Sequence, residues 1–464
     1  MTDPARVRVL SDRPVRGGRY VLYFMQQAMR TRFNHALEYA IELANEVGVP
    51  PVVCFGLMDD YPEANERHYA FMLQGLRDVE ANLKRRDIRF VVRHGSPEQS
   101  ALHYSKEAAC VVCDRGYLRH QKRWRDAVAD GAECRVVEVE SDVVVPVDEA
   151  SDKHEFAART IRPKIHRKWD QFLQPVSPVK VRFPSLALDV TGNIDVTEPA
   201  AALKKLKLDR SVAPTVFFTG GEDRAAAMIA DFAKHKLDGY AEGRNEPSGD
   251  RHSYMSMYLH FGQVSPLELA LRVRDQTQTP GSDRDSYLEE LIVRRELSMN
   301  FCHFVPQYDS YECLPIWAKK TLAEHTADER PVMYTRQQME SADTADAYWN
   351  AAQTQMTITG FMHNYMRMYW GKKVLEWTPS PQAAFELLSY LNNKYFLCGR
   401  DANAYTNVAW VFGLHDRPWG PARKIFGTVR YMNAAGLKRK YKIDRYVDQM
   451  DALAKQHTGR PLRR

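Results

Sequence analysis

The residues that could do chemistry gather in the second half of the chain, between His252 and Arg430. His363, Arg367, Trp370, Val374 and Trp377 recur at three- and four-residue spacing, which on a helix from about Met356 to Trp377 places them on one face. Core packing is the plain use of such a stripe. A buried guanidinium, however, needs an anion or several acceptors, so a cation beside two indoles points beyond packing. Trp370 and Trp377 are roughly 10 Å apart along a helix axis, a distance over which electrons can hop. His252-Ser-Tyr-Met-Ser256 follows the turn-forming Pro247-Ser-Gly249, and its hydroxyls and backbone N–H groups could hold a pyrophosphate or simply form a turn. Glu290 and Arg294 stand i, i+4 on a helix, the spacing of a surface pair of about 0.3–0.5 kcal/mol; a glutamate held near a substrate carbonyl is the sharper alternative. There is no HxxxH, no four-cysteine cluster and no Walker loop, so nothing argues for a metal or for ATP.

The elements that must position these residues fall into two halves. From Arg19 to about Pro146, short β-branched runs (Tyr20 to Met25, Val52 to Leu57, Ile88 to Arg93, Cys110 to Cys113, Arg135 to Val139) alternate with helical stretches such as Arg32 to Val47 and Asn65 to Arg86. This is the rhythm of an α/β, doubly wound parallel sheet. The first strand runs into Gln26-Gln-Ala-Met-Arg30 rather than a GxGxxG turn, so the usual cradle for a dinucleotide is missing and the main cofactor is expected elsewhere. Cys110 and Cys113 mimic a CxxC, but three-residue spacing on a strand sends them to opposite faces as buried thiols. Between Pro175 and Gly221 a Pro-containing, weakly periodic stretch reads as a surface connection. From Glu222 onward the pattern is helical. Ser265-Pro266-Leu-Glu268 supplies an N-cap, an N1 proline and a capping-box glutamate, and Gly281 to Asp283 opens a long helix through about Phe304. The domains expected are 19–150 α/β, 151–221 connection and 222–464 all-helical.

A chain of 464 residues, 44% hydrophobic and 27% charged, has ample length for two or three domains and a large enclosed site. No stretch approaches a membrane span, and the N-terminus lacks an apolar signal region, so a soluble protein of the cytoplasm or nucleus is expected, not a secreted one. Net charge is only +6, but from Pro421 onward twelve Lys or Arg face three Asp. Arg423, Lys424, Arg430 and Lys438-Arg-Lys440 make an electrostatic footprint for phosphate backbones, with a solvated tail as the plainer reading. Six of the eight tryptophans fall in the helical half, as binding of flat heterocycles requires.

Taken together, these segments resemble the class II cyclobutane pyrimidine dimer photolyases of the photolyase/cryptochrome superfamily. The resemblance is carried, in order, by Leu73-Gln-Gly-Leu76, Lys153-His-Glu-Phe-Ala-Ala-Arg-Thr160, Tyr258-Leu-His-Phe-Gly-Gln263, Arg294-Arg-Glu-Leu297 with Asn300-Phe-Cys302, Tyr365-Met-Arg-Met-Tyr-Trp370, Gly399-Arg-Asp401, His415-Asp416 and Arg430-Tyr-Met-Asn433. It implies an N-terminal α/β domain, often with an antenna chromophore (a deazaflavin or a folate), and a helical domain enclosing FAD that works in its reduced anionic form. The implied partner is UV-damaged DNA, met by a monomer.

Position by position, the resemblance implies that Tyr240, His252, Ser253, Tyr254, Met255 and Ser256 hold the FAD phosphates and ribityl chain, with Gln263 also in the cofactor set. Arg367, Asn392, Cys398, Gly399 and Asp401 would face the flavin ring, and Trp370, Trp349 and Trp377 would carry electrons to it. Asn245, Glu290, Arg294, Met368 and Trp410 match the pocket for the flipped dimer. Arg417, Trp419 and Arg430 match the element that enters the duplex, and Arg244, Lys438, Arg439 and Lys440 would contact DNA. The chain departs from the family at Cys398, where an Asp is common, at Met257, where a Pro is common, and at Arg294, where some members carry Trp. A cryptochrome-like photoreceptor is the rival function within this fold.

Overall fold

The computed structural model describes residues 2–463. Its sheet is built from β1 (Val7–Ser11), β2 (Tyr20–Phe24), β3 (Pro51–Leu57), β4 (Arg89–His94), β5 (Ala108–Asp114) and β6 (Arg135–Val139), in the order β1-β6-β5-β2-β3-β4. Strands β2 to β6 pair in parallel, because runs apolar on both faces need helices on both sides. Cys110 and Cys113 do lie on opposite faces of β5, in separate buried clusters. The sheet starts earlier than Arg19: β1 pairs antiparallel with β6, Val7 opposite Val139. Its half-exposed edge position leaves mixed polar side chains and hence little sequence signal.

The turn after β2 explains the missing glycines. Asp114, at the end of β5, accepts hydrogen bonds from the N–H groups of Gln26 (2.8 Å), Gln27 (3.0 Å) and Ala28 (2.6 Å). A protein carboxylate thus takes the place that a ligand phosphate holds in a glycine-rich turn.

The helices are α1 (His35–Val47), α2 (Glu66–Arg85), α3 (Pro97–Ser105), α4 (Arg119–Gly131), α5 (Val147–Ala150), α6 (Ala158–Phe172), α7 (Pro199–Lys205), α8 (Glu222–His235), α9 (Tyr240–Gly243), α10 (Ser256–His260), α11 (Pro266–Arg274), α12 (Gly281–Leu288), α13 (Arg295–Phe304), α14 (Ile316–Glu324), α15 (Arg336–Glu340), α16 (Ala347–Thr359), α17 (Asn364–Trp377), α18 (Pro381–Tyr395), α19 (Ala402–Val411), α20 (Ala434–Lys440) and α21 (Ile443–Thr458). None is long and apolar enough to cross a membrane. The stretch from Pro175 to Gly221 carries only α7 and runs along the β4 edge, where the Asn193 and Ile194 N–H groups donate to Val92 O at 3.0 and 3.2 Å. Within the expected connection, residues 158–172 form helix α6.

Three helical expectations are corrected. The segment from Met356 to Trp377 is two helices, because Gly360 ends α16 at φ 78 and His363 restarts the chain as the N-cap of α17, its Nδ1 accepting from Tyr365 N at 3.1 Å. Ser265 does cap α11, but Glu268 turns to Arg272 (2.8 Å) instead of closing a capping box. Between α12 and α13 the helix widens into a π turn, Glu289–Arg294, that shifts side chains by one position per turn. Arg294 consequently pairs with Glu289 (3.0 Å) and not with Glu290.

The halves meet across a buried polar seam. Asp142, just past β6, is shared by Arg30 (3.3 Å) and Arg295 (2.9 Å), all three almost fully buried. Glu296 reaches from α13 to accept from Val144 N (2.6 Å) and Val145 N (3.2 Å). The C-terminal basic segment is no solvated tail: α21 packs on α16, with Tyr446 Oη donating to Gln355 Oε1 at 2.9 Å.

Candidate functional site

A cavity of about 260 Å³ opens inside the helical half, walled by Tyr240, Tyr287, Glu290, Arg367, Cys398 and Asp401 among others. The whole His252–Ser256 loop lines it, held by Tyr254 in the left-handed region at φ 56. A second space, about 550 Å³, shares His252, Ser253, Tyr254 and Phe361 with the first, so the loop is wrapped on both sides.

The lining is rich in donors. His252 and His363 meet edge to face, 4.5 Å between centroids, and neither Nε2 makes a hydrogen bond. Burial pushes their pKa values down to about 4 and about 2, so both rings are neutral at physiological pH. Arg367 sits 3.9 Å over the Phe396 ring and donates to Met362 O (3.1 Å) and Cys398 Sγ (3.3 Å). Among the described residues no carboxylate reaches it in an ion pair. Asp401 lies at the start of α19, and burial raises its pKa from the ordinary carboxylate range.

Several residues expected around this cavity stand behind it. Gln263 braces the fold, Oε1 accepting from Gly221 N (2.8 Å) and Nε2 donating to Phe71 O (3.2 Å), which uses both ends of its amide. Asn392 donates to Asn393 Oδ1 (2.9 Å), and Gly399 is the tight turn that lets Cys398 and Asp401 face inward: a Cβ there would lie 2.6 Å from Asn392 O. Asn245 lines neither cavity. Arg244 is committed to Glu290 (2.8 Å) and lies over Tyr240, so it is no free surface cation. Tyr287, Arg295, Asn403 and Asn407, missed in the sequence, also line the cavity; Asn403 and Asn407 stand i, i+4 on α19, but Tyr287 and Arg295 come from two other helices and share no spacing with them.

Three tryptophans lead away from Phe396, the ring beneath the cavity-lining Arg367. Trp370 lies 6.3 Å from Phe396 and stacks on Trp349 (6.4 Å, 11° between planes), which meets Trp377 at 5.4 Å. Their positions are fixed by hydrogen bonds, Trp370 Nε1 to Gln353 Oε1 (2.9 Å) and Trp349 Nε1 to Trp370 O (3.0 Å). Half-buried Tyr334 continues the series, edge-on to Trp377 at 5.0 Å.

A groove of about 400 Å³ is lined by Met368 of α17, Trp410 of α19, Trp419, Arg430 and Lys440. Both helices contribute to both spaces: α17 gives Arg367 to the cavity and Met368 to the groove, and α19 gives Asn407 to the cavity and Trp410, one turn further on, to the groove. Arg430 grips Asp416 (2.8 and 3.1 Å) and covers Trp419 at 4.0 Å, so its charge is already paired within the protein. Arg417 approaches the same indole at 4.6 Å. Lys438 pairs with Asp444 (3.5 Å), while Arg439 is exposed.

A narrow space of about 90 Å³ marks the strand-order switch of the sheet, bounded by Gln26, Gln27, Tyr61, Trp124, His260 and Arg400. Asp401 borders both this space and the larger cavity.

A family model described as DNA photolyase matches residues 21–182. The deoxyribodipyrimidine photo-lyase of Methanothermobacter thermautotrophicus is 48% identical over 98% of this chain and 99% of its own length. The same fold occurs in a class III photolyase from Agrobacterium tumefaciens (TM-score 0.72, 18% identity, covering 94% of this chain and 87% of that one). It occurs again in an archaeal photolyase from Sulfolobus tokodaii solved with two FAD molecules (TM-score 0.66, 14% identity, 94% and 91% covered). With nearly half of its residues shared along the full length of a curated relative, the chain belongs to the DNA photolyase family of enzymes.

Proposed function

We propose that this enzyme is a class II photolyase that repairs cyclobutane pyrimidine dimers in UV-damaged DNA, using FAD and blue light. The observation that carries the reading is one juxtaposition: a donor-lined cavity, a tryptophan series that reaches its Arg367 through the Phe396 ring, and an indole-lined groove built from the same two helices, α17 and α19.

The residues fit FAD. A diphosphate needs donors and a flavin needs flat walls. The unpartnered His252 Nε2, the hydroxyls of Ser253 and Ser256, and the rings of Tyr240 and Tyr254 meet both needs. Arg367, Cys398 and Asp401 would face the flavin ring. The chemistry FAD supplies when bound is light-driven donation of one electron from its reduced anionic form and its recovery after the cyclobutane ring has opened.

The protein's part is placement and charge. Arg367 supplies a positive charge for an anionic ring, at a site where low dielectric strengthens its effect. Trp370, Trp349 and Trp377 would deliver electrons to a resting oxidised cofactor. Glu290, steadied by Arg244, offers oxygens toward the lesion where charge develops. Met368 and Trp410 would seat the extruded dimer, whose weak pairing makes extrusion cheaper than for an intact base pair. Trp419 and Arg417 would fill the gap left in the duplex, and the cations of α20 would follow its phosphates. The switch-point space is where an antenna, deazaflavin or folate, would lie. Its narrowness requires side chains to part first. We place the enzyme with DNA, in cytoplasm or nucleus, acting as a monomer.

Blue-light repair of a dimer-containing oligonucleotide, with a dark control, tests the proposal. Repair only in the light is expected. A flavin-loaded protein that photoreduces normally but leaves the dimer intact would instead be a photoreceptor.

A further inference from the structure

Lys372 is fully buried on α17, where a lysine carries a heavy desolvation cost, and no step above uses it. Its position is set by a close approach of two helices: a Cβ on Gly371 would lie 2.5 Å from Val411 Cγ2, so only glycine lets α17 come this near to α19. The ammonium donates to Val411 O, in the last turn of α19, where unpaired carbonyls and the helix dipole both favour a cation. It also lies 5.2 Å over the ring of Trp410, the residue beside Val411. Met368, one turn earlier on α17, lines the same groove as Trp410.

Beyond Trp410 the pattern continues outward. Arg430 approaches the Trp410 ring at 5.7 Å and the Trp419 ring at 4.0 Å, and Arg417 approaches Trp419 at 4.6 Å. Cations and indoles alternate from the protein interior to the surface, with Asp416 holding Arg430 and accepting from Trp419 Nε1 at 3.2 Å. Asp416 and Arg430 are the charged groups that act on Lys372, the first favouring its charged form and the second opposing it; burial, the larger influence, draws its pKa down to about 7.

We propose that Lys372 is a positioning residue of the lesion groove: by capping the last turn of α19 and lying over the Trp410 indole, it fixes that ring for the extruded dimer. A flexible indole would lose rotamer entropy on binding, whereas a ring already held does not, so lesion affinity gains and affinity for intact duplex is unaffected. The proposal rests on reading Trp410 as a residue that touches the lesion.

A double-mutant cycle on the full-length, flavin-loaded protein tests it, by titrating dimer-containing and intact duplexes with wild type, Lys372→Met, Trp410→Ala and the double variant. Lys372→Met should reduce lesion preference roughly 2- to 30-fold, the span from an exposed to a desolvated cation–indole interaction, with affinity for intact duplex unchanged. The double variant should be no worse than Trp410→Ala. Unchanged preference in Lys372→Met, or additive losses in the double variant, would overturn the proposal. Should Lys372→Met lose its flavin, Lys372→Gln, a neutral donor, takes its place with the same expected direction. Failure of the groove reading shows separately: Trp410→Ala would then keep full lesion preference, and the role of Lys372 falls with it.

Discussion

Trp370 meets Phe396, the ring beneath the cavity-lining Arg367, and its stacking on Trp349 gives electrons a short path through a dry interior. Trp370→Phe should therefore largely abolish photoreduction of oxidised flavin while enzyme reduced chemically still repairs; photoreduction at the normal rate would remove Trp370 from the path. Cys398 raises a different matter of charge. Arg367 donates to its sulfur and has no carboxylate partner among the described residues, so the cavity keeps an unneutralised cation. Cys398→Asp should pair with Arg367, oppose a negative flavin and make its reduction potential more negative, as spectroelectrochemical titration would read; an unchanged or raised potential contradicts this. These residues were legible because indoles, a guanidinium and a departure from a family pattern are visible as letters. Their pairings were not. The i, i+4 spacing of Glu290 and Arg294 implied a pair, but a π turn gave Glu290 to Arg244 and Arg294 to Glu289, and nothing in the sequence marks where a helix widens.

At the scale of elements, the loop from His415 to Arg430 turns a basic segment into two distinct devices. Asp416 neutralises Arg430 and orients Trp419, whereas Arg439 on α20 is exposed to solvent. Arg430→Ala should thus act like Trp419→Ala and lower lesion preference, by roughly 1–3 kcal/mol, the worth of one base stacked on an aromatic ring. Arg439→Ala should weaken damaged and intact duplex alike and flatten the salt dependence by about 0.9 for each phosphate that the protein no longer neutralises. Titrations of both duplexes at two salt concentrations separate the two; a flattened salt slope in Arg430→Ala would return that residue to the phosphate-binding set. Charge counting located this segment, since twelve cations against three Asp need no structure to be noticed. It missed that α20 and α21 are packed, because amphipathic helices with one charged face have the same composition as a solvated tail.

The whole molecule depends on the seam that joins its halves, where charges were legible singly but their convergence from β6, α13 and the turn after β2 was not. Glu296 is the seam's most perturbed carboxyl: burial lifts its pKa to about 8 despite the Val144 and Val145 N–H groups and the nearby Arg295 and Arg6 charges, all of which favour ionisation. The ordinary value is 4.5, so between about pH 4.5 and 8 the folded protein holds a proton that the unfolded chain has released. Stability from this group is therefore full below that window and falls as pH rises through it, by on the order of 1 kcal/mol per pH unit. Buried histidines with lowered pKa values, such as His68 and His260, tilt stability the other way, but only toward acid, where the unfolded imidazoles take up protons. Lys372, its pKa drawn down to about 7, also titrates here and raises stability as pH climbs from 7 to 8, so the carboxyl is isolated only by comparing wild type with a variant that cannot titrate at position 296. Glu296→Gln keeps an oxygen for Val144 N and cannot titrate, so its denaturation midpoint should rise relative to that of wild type as pH goes from 7 to 8. Equal shifts in the two proteins would mean that Glu296 is ionised in the seam, its burial offset by the two N–H donors and the arginines around it.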